Sequence, residues 1–160
     1  MKDLQDLAIK KLNAKGITIL EMAKLVQKNK NFLQNKISIN QAVNAIKYVI
    51  SKRETINAIL TAIAIDKAAQ NNLLDREIQK LINQDSPLYG IDEILALSIV
   101  NMFGSIALTN FGYYDKIKPG IIGRIDRIGK KNKYCTTFLD DIVSAIIASA
   151  CSNIAHSLNQ

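Results

Sequence analysis

Proline and glycine are scarce in this chain, two and seven residues respectively, and the apolar residues between them recur every three or four positions instead of alternating. That period lines apolar side chains along one face of a helix and not along one face of a strand. The expected fold class is therefore all-α: a compact multi-helix bundle with no strand. At 160 residues, 48% of them hydrophobic, about two thirds of the unfolded surface can be buried without covalent staples. One ordered domain spanning residues 1–160 is expected, and disulfide-scaffold and collagen-like classes are excluded. Cys135 and Cys151 form no CxxC pair and the chain has a single histidine, so neither a zinc site nor a disulfide framework is supported.

Local signals divide the chain. A first helix is expected from about Lys2 to Lys15, with Leu4, Leu7, Ala8 and Leu12 on one side, stopping at Gly16. Thr18 and Glu21 have capping-box spacing before Met22, Leu25 and Val26. Asn40 is expected to cap a third helix, and Ser51 with Glu54 repeats the capping-box spacing ahead of INAILTAIAIDKAA, apolar on most of its circumference. Asp75 can cap DREIQKLIN, DSPLYG breaks the chain, and another helix is expected from about Asp92. A Gly- and Lys-rich loop from Gly123 to Lys133 then precedes a last helix from about Thr137. The apolar stretch from Ile94 to Leu108 is interrupted by Ser98, Asn101, Gly104 and Ser105. It falls short of the roughly 20 residues a membrane span requires, and it reads as buried. The N-terminus carries charge throughout and has no signal-peptide pattern, so a cytoplasmic location is expected.

Charge is unevenly placed. Residues 1–53 hold 11 Lys and Arg against three Asp and Glu, whereas residues 54–160 hold 10 against 11. The basic first third suits an anionic membrane surface or a phosphate backbone; solvated lysines on helix faces are the plainer and favoured reading.

The acidic residues of the second part sit among apolar neighbours. Asp92 and Glu93 open DEILALSIV, Asp115 lies in FGYYDKIKP, and Asp140 and Asp141 lie in FLDDIVSAIIASA. A carboxylate in apolar surroundings is costly unless paired, hydrogen-bonded or bound to a cation. Three such places in one small domain suggest convergence, and an oxygen-only ligand set favours Mg²⁺, with Mn²⁺ or Ca²⁺ as substitutes. Plainer readings stand beside this one. Asp92, Asp140 and Asp141 can serve helix starts, Asp115 can pair with Lys116 or Lys118, and Asp66 fits a structural carboxylate. His156 fits an inert position, and the small residues Ser144, Ala145, Ala148, Ser149 and Ser152 fit close helix packing.

The order of Asp92-Glu93, then FGYYDKIKPGII with Asp115, Lys118 and Pro119, then Asp126, then Asp140-Asp141-Ile-Val-Ser-Ala resembles the phosphatidylglycerophosphatase A family over roughly residues 54–160. Gly112 stands where the family has arginine, Gly120-Ile121 replaces x-Pro, and the family's N-terminal glycine-rich elements have no counterpart in residues 1–53. The resemblance, closest to the soluble Gram-positive branch, implies a Mg²⁺-dependent phosphatase. It implies removal of the terminal phosphate from phosphatidylglycerophosphate to give phosphatidylglycerol, a step of phospholipid biosynthesis. Asp92, Glu93, Asp115, Asp140 and Asp141 become metal-binding and catalytic carboxylates, and Lys118 and Arg124 face the phosphate. The implied partner is a phospholipid phosphate, with peripheral contact to the inner face of an anionic membrane and no nucleic acid. The apolar helices at 56–65 and 94–108 suggest a homo-oligomer. Two alternatives stand: a non-catalytic, metal-stabilised helical binding or regulatory protein, and an all-α Mg²⁺-dependent nucleotide pyrophosphohydrolase.

Overall fold

A computed structural model describes residues 2–29, 37–131 and 134–158. Among these residues the chain forms nine helices and no strand: α1 (Lys2–Ala14), α2 (Ile19–Lys28), α3 (Ile39–Ile50), α4 (Arg53–Gln70), α5 (Arg76–Asn83), α6 (Ile91–Val100), α7 (Gly104–Ile117), α8 (Gly120–Lys130) and α9 (Leu139–Leu158). The all-α expectation holds, and the period of the apolar residues is its cause.

Boundaries follow capping chemistry, with corrections. Gly16, at φ +74°, ends the first helix, and the Thr18 side chain accepts the Glu21 amide as its spacing requires. The third helix is capped by Ser38, not Asn40: Ser38 accepts the Gln41 amide while the Gln41 side chain accepts the Ser38 amide. Ser51 and Glu54 form no capping box, because the helix starts after Lys52 with no side-chain cap. Asp75 stands at the start of α5, also without a side-chain cap bond. The loop expected at Gly123 to Lys133 is instead helix as far as Lys130, and residues 132 and 133 lie outside the described ones. The glycines there serve close approach. A Cβ on Gly123 would collide with the Lys118 carbonyl, and one on Gly129 would collide with the Thr136 hydroxyl.

The core is organised around α9, which packs against α2, α3, α4, α6, α7 and α8. Every residue from Leu139 to Ser152 is buried, so this helix has no solvent face over nearly four turns. By length and composition it is the one described helix that could cross a membrane, yet 78% of its window is buried inside the protein. It is a core helix, and its side chains explain the packing. Ile142, Ile146 and Ile147 each remove apolar area worth about 1.5–3 kcal/mol from water, and Ala145, Ala148 and Ser149 between them let neighbouring helices approach. The stretch from Ile94 to Leu108 departs from the fully buried expectation. The turn at Asn101 to Phe103 splits it into α6 and α7, and Ile94 and Leu108 are left 62% and 51% exposed. The stretch 56–65, in contrast, spends Ile56, Ile59, Ala62 and Ile63 on this chain's own core.

Candidate functional site

The start of α9 is pinned from three sides before its two aspartates are reached. Asp66, from α4, accepts the Phe138 and Leu139 amides at 3.1 Å each, thereby capping α9 from another helix. The Thr137 hydroxyl donates to the Ile82 carbonyl of α5 at 2.6 Å, and the Thr136 hydroxyl donates to the Ile125 carbonyl of α8 at 3.2 Å. Asp66 is thus a structural carboxylate, as its place near the end of an apolar helix suggests. Burial pushes it up to about 7 against the pull of the two backbone amides.

Three helix ends then meet. Asp92 and Glu93 open α6, Asp140 and Asp141 open α9, and Asp115 closes α7 just before Lys118, its C-cap. Carboxylates at the starts of α6 and α9 are favoured by the positive ends of the helix dipoles. Lys118 sits in the left-handed region at φ +45°. From there its ammonium reaches Asp140 at 2.8 Å and Asp115 at 2.9 Å. Asp115 therefore pairs with Lys118, and that pair belongs to the cluster instead of to an isolated surface contact. All five carboxylates picked out in the sequence line one cleft of about 290 Å³ together with Lys118.

Two acids were missed. Asp85 lines the same cleft, from the turn between α5 and α6; in NQDSPLYG it reads only as turn chemistry. Asp126, noted only within the resembling pattern, lines an adjoining cleft of about 590 Å³ and pairs with Lys130 at 3.0 Å. One further signal marks the region. The four non-glycine residues with positive φ among those described are Asn72, Asp85, Leu88 and Lys118, and all four line one or other cleft. Such backbone conformations cost of order 1–3 kcal/mol each and concentrate at functional sites.

Arg124 is not brought here. Its guanidinium is bound to Glu21 at 2.7 Å and to the Gly16 carbonyl, on the side of α8 that faces the start of α2. Lys118 alone of the two expected phosphate contacts faces the carboxylates. His156 is exposed near the end of α9.

The electrostatics are lopsided. Burial raises the pKa values of Asp92, Asp140 and Asp141, and the neighbouring carboxylates add to the rise. Asp85 and Glu93 are raised for the same two reasons. Burial works to lower Lys118, yet Asp140 and Asp115 hold it above its ordinary value. Lys116 and Lys118 line the cleft and do not balance this many acids, and Asp92 Oδ1 is buried without any hydrogen-bond partner. An oxygen-only donor set with an orphaned buried carboxylate oxygen fits a hard divalent cation. Among the described residues no three acids are arranged as a formed metal shell; Lys118 holds the centre.

Comparison with known proteins places this geometry. The pattern of the phosphatidylglycerophosphatase A family matches residues 22–156. The uncharacterized protein YpjQ of Bacillus subtilis (strain 168) is 44% identical over 157 residues, which cover 98% of this chain and 87% of that protein. The uncharacterized protein YutG of the same organism is 43% identical, over 91% of this chain and 87% of its own length. The crystal structure of ypjQ superposes with a TM-score of 0.93 at 43% identity, covering 99% of this chain and 97% of that one. The low temperature requirement C protein from Listeria monocytogenes superposes with a TM-score of 0.92 at 41% identity, covering 98% of both chains. With the family pattern running through α6, α7 and α9, where the carboxylates converge, this chain belongs to the phosphatidylglycerophosphatase A family.

Proposed function

We propose that the cleft at the start of α9 hydrolyses a phosphomonoester with Mg²⁺, and that the substrate is phosphatidylglycerophosphate, converted to phosphatidylglycerol. The observation that carries this reading is the gathering of Asp85, Asp92, Glu93, Asp115, Asp140 and Asp141 in one cleft with Lys118, whose ammonium pairs with Asp115 and Asp140. Asp92, Glu93, Asp115, Asp140 and Asp141 would hold the cation, with Mn²⁺ or Ca²⁺ as substitutes. When bound, Mg²⁺ supplies charge neutralisation for the phosphate and acidifies water.

The chain's own residues supply the rest. Lys118, held by the turn before Pro119 and by the close approach of Gly123, offers a positive charge to phosphate oxygens as negative charge develops on them. A carboxylate left off the cation accepts the proton of the attacking water. The burial of Asp92, Asp140 and Asp141 lowers the dielectric around their carboxylates, which strengthens each of these interactions.

Peripheral contact with an anionic membrane belongs to the same proposal. It is supported by α1, which leaves Leu4 and Leu7 exposed with Lys11 on the same face one turn on. Association with a second copy is supported by the exposed Ile94 and Leu108 of α6 and α7.

The test is phosphate release from phosphatidylglycerophosphate, a nucleoside triphosphate and a generic phosphomonoester, with Mg²⁺ or EDTA, for wild type and Asp140→Asn. Lipid-selective, Mg²⁺-dependent release that is lost in Asp140→Asn supports the proposal. Pyrophosphate released from the triphosphate, with no phosphate released from either monoester, favours a nucleotide pyrophosphohydrolase. No release, with Mg²⁺ still stabilising the fold, leaves a metal-stabilised binding protein.

A further inference from the structure

The carboxylate cleft does not stand alone. Across Asp140 lies the larger cleft of about 590 Å³, and Asp85, Thr137 and Asp140 line both. A phosphate held at Lys118 therefore has one neighbouring space large enough for what it is esterified to. The volume is of the size that binds small molecules, but such sites are mostly apolar, and this one is not. Its walls carry the side-chain amides of Gln70, Asn72, Asn83 and Gln84 and the hydroxyl of Tyr134, a residue that is 57% exposed. Its cation, Lys130, is already paired with Asp126 at 3.0 Å. Asn72 and Asp85 both hold positive φ at the ends of α4 and α5, so the chain reverses at this rim instead of closing it.

The chemistry of these walls selects a ligand. An acyl chain laid here would strip water from these amides and give no hydrogen bond in return. A second phosphate would meet Asp85, Asp126 and Asp140 with Lys130 already engaged. Alcohol hydroxyls, each both donor and acceptor, match amides and a phenol without adding charge.

We infer that this cleft is the subsite for the polyol portion of the leaving alcohol, the glycerol- or sugar-like part adjoining the ester oxygen. The inference rests on the phosphatase reading and adds what the enzyme recognises beyond the phosphate. Asn83 and Gln84 end α5 with exposed side chains, so they can be changed without touching the core, and neither is one of the carboxylates that would hold the cation.

The test uses two esters that differ only in two hydroxyls, glycerol 3-phosphate and n-propyl phosphate. Their kcat/KM values for phosphate release are compared in wild type and in Asn83→Leu/Gln84→Leu. The wild type is expected to favour the glycerol ester by about tenfold or more, since a site built for hydroxyls rejects the analogue lacking them. In the double variant that ratio is expected to collapse towards one. Equal rates for the two esters in the wild type, or an unchanged ratio in the variant, overturn the subsite. Phosphatidylglycerophosphate in detergent micelles, run beside glycerol 3-phosphate, tells a lipid-borne polyol from a free one, since the variant lowers kcat/KM for whichever source the cleft serves. Release from no ester defeats the phosphatase reading instead, and a second measurement then decides the subsite. Titration of glycerol into isotope-labelled protein should shift the amide signals of Asn72, Asn83, Gln84 and Tyr134 together; shifts scattered over the surface overturn it.

Discussion

The central helix passes through two buried polar regions that are treated in opposite ways. Near Cys151, the Asn29 amide donates to Asn110 at 2.6 Å and to the Tyr114 hydroxyl at 2.9 Å, with Cys151 Sγ at 3.4 Å. Asn110 in turn donates to the Ile106 carbonyl at 2.8 Å. These groups are neutral and mutually satisfied, and they tie the end of α2 to α7 and α9. At the other end of α9, Asp92, Asp140 and Asp141 are buried and crowded, Asp92 Oδ1 has no hydrogen-bond partner, and the Lys118 ammonium is shared between Asp140 and Asp115. Both regions sit on the same scaffold, so the difference lies in what completes them. The protein completes the first, and the account assigns the completion of the second to a cation and a phosphate.

The comparison can be broken by substitution. The largest expected effect is on turnover. Asp140→Asn should lower kcat/KM for Mg²⁺-dependent phosphate release by about a thousandfold without lowering the melting temperature in EDTA; steady-state kinetics and calorimetry check this. Asn110→Ala should do the reverse. It leaves buried partners unsatisfied, so urea unfolding should show a loss of about 2–3 kcal/mol, with kcat unchanged.

A smaller effect sharpens the contrast. With Asp66 raised to about 7, and Asp92, Asp140 and Asp141 also raised, the folded state binds more protons than the unfolded one above the ordinary carboxylate range. The slope of stability against pH is then negative. In EDTA, stability should be greatest below about pH 4 with respect to these groups and fall as pH rises to about 9, where Asp141 is the last of them to ionise. Mg²⁺ should flatten that fall, which melting curves across pH would reveal. Asp141→Asn in EDTA should add about 1–2 kcal/mol by removing a carboxyl group whose ionisation is opposed first by burial and then by Asp140 and Asp115, as expected where stability has been given up for function. The smallest effect belongs to Arg124. Its pairing with Glu21 is exposed, so Arg124→Ala should cost under about 1 kcal/mol and leave phosphate release intact.

Much of this was legible in the residues because burial and charge conflict openly there. Aspartates inside DEILALSIV and FLDDIVSAIIASA have no purely local reason to be buried, and the helical period puts them where cores form. What was hidden depended on tertiary placement. Asp85 looked like an ordinary turn residue, since its relation to α9 arises from a 55-residue separation in sequence. Arg124 looked like a phosphate contact because linear distance to Lys118 is short, yet six positions along a chain that turns at Pro119 into α8 carry it to Glu21 instead. Ser38 displaced Asn40 as a cap because the Gln41 side chain completes the reciprocal bond only there. The glycines of α8 suggested a loop; they instead permit contact with the Lys118 carbonyl and Thr136, which propensity alone does not foresee.

The most direct measurement is the melting temperature of wild type, Asp140→Asn/Asp141→Asn and Asn110→Ala as Mg²⁺ is titrated from EDTA. Binding to the folded state raises stability by mass action. The account predicts an Mg²⁺-dependent rise in wild type and Asn110→Ala and none in the double aspartate variant. An equal rise in all three, or no rise in wild type, would contradict the claim that the acidic end of α9 is completed by a cation.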